Sequence, residues 1–199
     1  THDFDARTLA LSPASVQILK MLAIWPLLEE KATPINGIHV SEQGHFGRAR
    51  MHHTPPDPLG FVVEMQAINA AILQALDQDG LMAPATLVAL DTQSGEAILH
   101  RQDTDYKVKA QLIVAADGMQ STVRQFAGLD VKIKAYQQEA IVANIGLTRK
   151  HHNIAYERFT PSGPLAMLPM TDNRMSLVWA LHPEQAASLM ALPDAAFLK

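Results

Sequence analysis

The residues best suited to chemistry stand at the end of an apolar run, in the stretch QLIVAADGMQSTVRQFAGL from Gln111 to Leu129. A strand buried on both faces reads as a continuous apolar run, as LIVAA does. Asp117 then falls at its carboxyl end, where open α/β sheets bind ligands. Gly118 lets the backbone turn sharply or approach a ligand closely. The segment that follows is expected to form a short helix, capped by Ser121 or Gln120 and closed by Gly128, with its first amides forming an anion pocket. The same residues also fit an ordinary strand-ending turn. Histidines form the other reactive group: His52-His53 and His151-His152, with His39 and His45. Adjacent histidines on a strand point to opposite faces, so such a pair chelates one ion poorly, and no metal site is expected.

The elements that must position these groups follow from periodicity. Ser12-Pro13 opens a helix to about Leu22, with Leu11, Ser15, Ile18, Leu22 and Trp25 at three- and four-residue steps. Ile38, Val40 and Phe46 alternate with polar neighbours around Gly44 and Gly47, predicting a hairpin, and TPPDP (54–58) reads as a linker. Met65, Ile68, Ile72, Leu73 and Leu76 share a helical face, with Gly80 in the place of a C-terminal cap. ATLVALDT and EAILHRQ form strands joined at Gln93-Ser94-Gly95, and YKVKAQLIVAAD leads into the apolar run. The last third reads as antiparallel strands with a helix at PEQAASLMAL. The fold class is therefore α/β (α+β mixed), an α/β core with an antiparallel sheet that the chain visits more than once.

Composition narrows the function. The 199 residues are 48% hydrophobic and 18% charged, enough for a sizeable core. A net charge of -4 lacks the basic excess of a nucleic-acid binder, and none is expected as a partner. With no cysteine, disulfide frameworks and thiolate metal sites are excluded. No apolar run has the roughly 18 residues needed to cross a bilayer, and no leader resembling a signal peptide opens the chain, so a soluble cytoplasmic protein is expected.

The pattern of apolar strand, Ala-Asp-Gly, two residues, Ser121, two residues and Arg124 resembles the Asp-Gly fingerprint of the flavoprotein aromatic hydroxylases, single-component monooxygenases that use FAD and NAD(P)H. DARTLALSPASVQILKMLAIWPLL, GFVVEMQAINAAIL and ERFTPSGPLAMLPMTDNRMSLVWAL are similar to further segments of that family in the same order. Together they resemble its ubiquinone-biosynthesis branch, the octaprenyl-methoxyphenol hydroxylase group. The resemblance implies cofactor-side roles for Asp117, Gly118, Ser121 and Arg124, for Arg7, and for Glu64 and Gln66 at the start of a helix along the flavin. No catalytic triad is implied, because the cofactor carries the hard chemistry. The resemblance further implies hydroxylation of a polyprenyl phenol with FAD, NAD(P)H and O2, and a place in the cytoplasm or peripheral to the inner membrane, beside other ubiquinone-biosynthesis proteins.

Two family features have no counterpart. The opening G-x-G-x-x-G turn is absent, since GHFGRA has the wrong spacing, and so is the later Gly-Asp motif. The expectation is an internal fragment, lacking about 40 residues ahead, the size of a βαβ unit, and more behind. Alone it is expected to bind FAD weakly or not at all and to be inactive. The expected organisation is an incomplete FAD/NAD(P)-binding three-layer α/β domain (1–30 and 59–133) with an antiparallel β-sheet substrate domain (31–58 and 134–199). Met167, Leu168, Met170 and Trp179 would line a prenyl pocket or belong to the core. The alternatives are a noncatalytic interaction or metal-binding domain, and another flavoprotein hydroxylase acting on a small aromatic substrate.

Overall fold

The structure, a computed structural model, describes residues 5–198. In chain order the elements are β1 (Thr8–Leu11), α1 (Pro13–Met21), β2 (Thr33–Ile35), β3 (Gly37–Glu42), β4 (Arg48–His52), β5 (Gly60–Glu64), α2 (Met65–Ala75), β6 (Thr86–Asp91), β7 (Glu96–Arg101), β8 (Thr104–Lys109), α3 (Thr122–Phe126), β9 (Glu139–Gly146), β10 (Ile154–Thr160), β11 (Gly163–Met170), β12 (Arg174–Leu181), α4 (Pro183–Met190) and α5 (Asp194–Phe197). The fold is mixed α/β, as expected. The chain forms two compact units, one of the residues up to Leu76 together with those from Tyr136 onward, the other Asp77–Ala135.

The first unit holds two sheets. A small antiparallel sheet runs β1-β5-β2, and α1 and α2 pack on it. Ser12 caps α1 by accepting the Ser15 amide at 3.1 Å, with Pro13 in the first turn. Val16, Trp25, Leu28, Val63 and Ile68 form its core, and the Trp25 and Phe61 rings meet edge to face at 4.9 Å. Such an aromatic pair contributes about 1 kcal/mol beyond its buried area. Gly60 at the start of β5 must be glycine, because a Cβ there would lie 2.6 Å from the Leu11 carbonyl oxygen.

The larger sheet has the order β4-β3-β10-β11-β12-β9, antiparallel except for the parallel β3/β10 pair. Ala155, Leu168 and Met170 on one face pack on Ile35 and Val62 of the small sheet. On the other face, α4 covers Ile141, Trp179 and Leu181. Met170 is thus a core residue, and Leu168 and Trp179 are partly buried against core clusters.

The second unit is the meander β6-β7-β8 with α3 beside β6. Here two sequence expectations fail. The run 111–116 is not a buried strand: it pairs with no strand among the described residues, and Leu112 and Val114 are 79% and 76% exposed. A doubly buried strand needs neighbours on both edges and cover on both faces. The meander ends at β8, and the chain departs after Ala110, whose amide donates to the Gly95 carbonyl. Gly80 does not cap α2 either. Leu76 is already extended, and Gly80 closes a separate single-turn helix that begins at the Asp77 cap.

Candidate functional site

The strand-end carboxylate sought at Asp117 occurs at Glu64. Val62 and Val63 bury the centre strand of the small sheet, Glu64 is its last residue, and α2 begins at Met65. The Met65 amide donates to the Arg7 carbonyl at 3.0 Å, which holds the first turn of α2 against the start of β1. No side chain caps α2. Its amino end therefore carries partial positive charge and free hydrogen-bonding capacity.

Glu64 is the N-cap residue of α2, but its side chain pairs with Arg174 instead of capping: Arg174 Nη2 donates to Glu64 Oε1 at 2.7 Å, and both side chains are about a quarter exposed, 28% and 26%. Arg174 also donates to the Thr171 carbonyl at 3.3 Å and to Thr171 Oγ1 at 3.2 Å. Asp172 and Asn173 both have positive φ, 57° and 53°. They form the two-residue left-handed turn that suits a tight hairpin, which fixes Arg174 as the first residue of β12. Glu64, Gln66, Lys31, Thr171, Asp172 and Arg174 line a cavity of about 550 Å³. Groups of both signs, an amide side chain and an uncapped helix end converge there. That donor set fits a polar, planar, phosphorylated cofactor such as FAD: Gln66 and the first turn of α2 supply donors, and Arg174 and Lys31 supply charge.

Arg7 has its backbone beside this site, but its guanidinium binds Asp5, with Nη2 2.7 Å from Oδ2. Those hydrogen bonds hold the Asp5 carboxyl down at about 2. The Arg7 guanidinium, given a cofactor-side role by the resemblance, is thus engaged with a neighbouring carboxylate.

Asp117, Gly118, Ser121 and Arg124 lie together in the second unit, around α3. Ser121 is its N-cap, 5% exposed, and accepts the Arg124 amide at 3.0 Å. Asp117 Oδ2 accepts the Val123 amide at 3.0 Å. The Ser121 hydroxyl, then the Val123 amide, hold the Asp117 carboxyl below its ordinary range. Arg124 Nη2 donates to the Met119 carbonyl at 2.8 Å. The expected anion pocket is therefore closed from within, because these side chains already take the helix's leading amides. Gly118 has φ +82° with open space where a side chain would stand, so its backbone remains approachable.

The sequence reading missed three polar groups on the face of the large sheet that also carries Arg174. Asn144 and Ser176 are cross-strand partners, and neither the buried amide of Asn144 nor the hydroxyl of Ser176 has a hydrogen-bond partner among the described residues. Ser176 is fully buried. Glu157 shares the face through Ala166 and Val178, and burial pushes its carboxyl up. Polar residues inside the apolar runs VANIG and SLVWA were the available signal, since an unpaired buried group costs about 1–3 kcal/mol. His151 serves locally: its Nδ1 accepts the Asn153 amide and its Nε2 donates to the Met170 carbonyl. Among the described residues, no three histidine, aspartate or glutamate side chains cluster as metal ligands.

The family model described as FAD binding domain matches residues 1–192. The chain is 36% identical over 200 residues to ubiquinone hydroxylase UbiL of Rhodospirillum rubrum, covering 96% of this chain and 45% of that protein. It is 31% identical over 193 residues to 3-demethoxyubiquinol 3-hydroxylase of Escherichia coli, covering 93% and 48%. Its fold is that of PqsL, a probable FAD-dependent monooxygenase from Pseudomonas aeruginosa (TM-score 0.77, 18% identity, 96% of this chain and 54% of that one). It is also that of Klebsiella pneumoniae HpxO complexed with FAD and uric acid (TM-score 0.74, 11% identity, 92% and 48%). The chain spans about half the length of the curated relatives it matches. A match over almost the whole chain makes it a member of the FAD-binding domain family.

Proposed function

We propose that this chain supplies the flavin-side cavity and the substrate sheet of a monooxygenase that hydroxylates a polyprenyl phenol in ubiquinone biosynthesis, using FAD, NAD(P)H and O2. The observation that carries this reading is the cavity of about 550 Å³ where β5 passes into the uncapped helix α2, with Glu64, Gln66 and Arg174 in its wall. When bound, FAD supplies electron transfer and oxygen activation. The chain's own residues do the rest: Gln66 and the first amides of α2 hold acceptor atoms, and Arg174 fixes Glu64 clear of them. Arg7 steadies the start of α2 through its backbone. Within the other unit, Asp117, Ser121 and Arg124 stiffen the turn at Gly118, whose backbone stays open to a ligand.

The assignment of 1–30 and 59–133 to the cofactor part and 31–58 and 134–199 to the substrate part is supported by the sheets. β3, β4 and β9–β12 form one sheet within the latter ranges, and β1, β5, α1 and α2 pack together within the former; the boundary at 31 is corrected by β2, which pairs with β5 in the small sheet, and residues 77–133 of the former belong to the separate second unit. A polyprenyl tail dissolves in lipid, so the protein is proposed to work at a membrane periphery. Among the described residues, no helix is long and apolar enough to cross one.

The test is an FAD titration, followed by absorbance and flavin fluorescence, of the chain and of a version extended at both ends. Retention of flavin by the extended protein, weakened by Gln66→Leu, supports the reading. A protein that holds no flavin in either form, or holds it equally well with Q66L, removes its support.

A further inference from the structure

The face of the large sheet that α4 covers at its β9–β12 end is open at the β4–β3–β10 end. Register places three rows of side chains on that open face: Arg48, Ser41 and Arg158; Arg50, His39 and Tyr156; His52, Gly37 and Ile154. The acidic residues of these strands, Glu42 and Glu157, alternate to the opposite face. Arg48, Arg50 and Arg158 are exposed, and their guanidinium groups have no partner among the described residues. A chain of net charge -4 thus gathers three free arginines where no carboxylate answers them. Between the rows lies a concavity of about 210 Å³ lined by His39, Arg50, His52 and Tyr156, and the buried Nε2 of His39 is unpartnered. At the tip of the same β3–β4 hairpin, Phe46 is fully exposed, two residues before Arg48.

We propose that this face docks on an anionic phospholipid surface, with the arginines against headgroup phosphates and Phe46 in the boundary between headgroups and acyl chains. Charge and shape select this occupant. Protein interfaces bury their aromatic anchors centrally within a polar rim. Here the aromatic stands at the extremity of a hairpin with cations behind it, the order in which a membrane interface presents apolar depth and anionic surface. The docking surface gives the proposed bilayer-resident substrate a physical route. Its geometry is independent of that proposal, and binding is read without flavin or turnover.

The test is co-sedimentation of the purified protein with vesicles of mixed phosphatidylglycerol and phosphatidylcholine, and with phosphatidylcholine alone, at low and high salt. Binding is expected to the anionic vesicles and to weaken with salt. Arg50→Gln and Arg158→Gln should each weaken it about fivefold, and Phe46→Ser about tenfold. Lys132→Gln, an exposed cation of the other unit, should leave it unchanged. All four positions are exposed, so thermal midpoints should match the parent. Equal binding to neutral vesicles, an equal loss with K132Q, or polyglutamate bound as tightly as the vesicles with no effect of F46S would each overturn the proposal, the last in favour of an acidic protein partner.

Discussion

Glu64 and Arg174, 110 residues apart in sequence, form a 2.7 Å contact that joins the small sheet to the large one. At an effective dielectric constant of 20, two unit charges at that distance attract by about 6 kcal/mol. Desolvation takes back most of this. Exposed pairs retain about 0–1 kcal/mol, and breaking fully buried ones costs 3–5 kcal/mol. With side chains about a quarter exposed, a coupling of about 1.5 kcal/mol is expected. The assay is a double-mutant cycle of Glu64→Gln, Arg174→Gln and the double variant in urea, followed by tryptophan fluorescence. Both tryptophans, Trp25 and Trp179, belong to the unit that carries the pair. R174Q should be the more costly single change because it also gives up two bonds to Thr171. The double variant should cost little more than R174Q alone, with each single also lowering the thermal midpoint by about 3–6 °C. If the single effects add to within about 0.3 kcal/mol, the two residues act independently, and the positioning of Glu64 by Arg174 is refuted.

Ser176→Ala removes a buried hydroxyl without a partner and should stabilise the unit by about 1 kcal/mol, read as a higher urea midpoint. A lower midpoint would show that the hydroxyl's packing outweighs its unmet hydrogen bond. Gly60→Ala drives a methyl against the Leu11 carbonyl and should cost about 2 kcal/mol or more, read as a lower urea midpoint. Asp117 contributes order that is complete above its ordinary value of 3.8 and is lost as pH falls through its lowered folded value. The Val123 amide resonance should therefore titrate below pH 3.8, and Asp117→Asn should abolish that titration.

Local chemistry made much of this fold readable. Ser12-Pro13 opened α1, Ser121 and Gly128 bracketed α3, and Gln93-Ser94-Gly95 joined β6 to β7, each because a side chain or a glycine satisfies nearby backbone groups. The LIVAA run misled because apolar continuity records a need for burial without naming the neighbour that provides it. The strand end that does meet the structural half of that rule is Glu64, whose strand has partners on both sides. Arg174 escaped notice because its meaning lies in a partner 110 residues away. Asp172-Asn173 did mark the turn that delivers it. The resemblance to flavoprotein hydroxylases selected Glu64 and Gln66, which share one cavity, while the large sheet's unpaired Asn144 and Ser176 needed cross-strand register to be seen as neighbours.

The uncovered segment Leu112–Ala116 bears on handling as well as on architecture. Five uncharged residues, including Ile113 and Val114, expose main-chain donors and acceptors beside apolar side chains, which is the composition that recruits identical segments into intermolecular ladders. Concentrated preparations of this chain should therefore precipitate with growing thioflavin fluorescence, and a gatekeeping charge at Val114 should keep them clear.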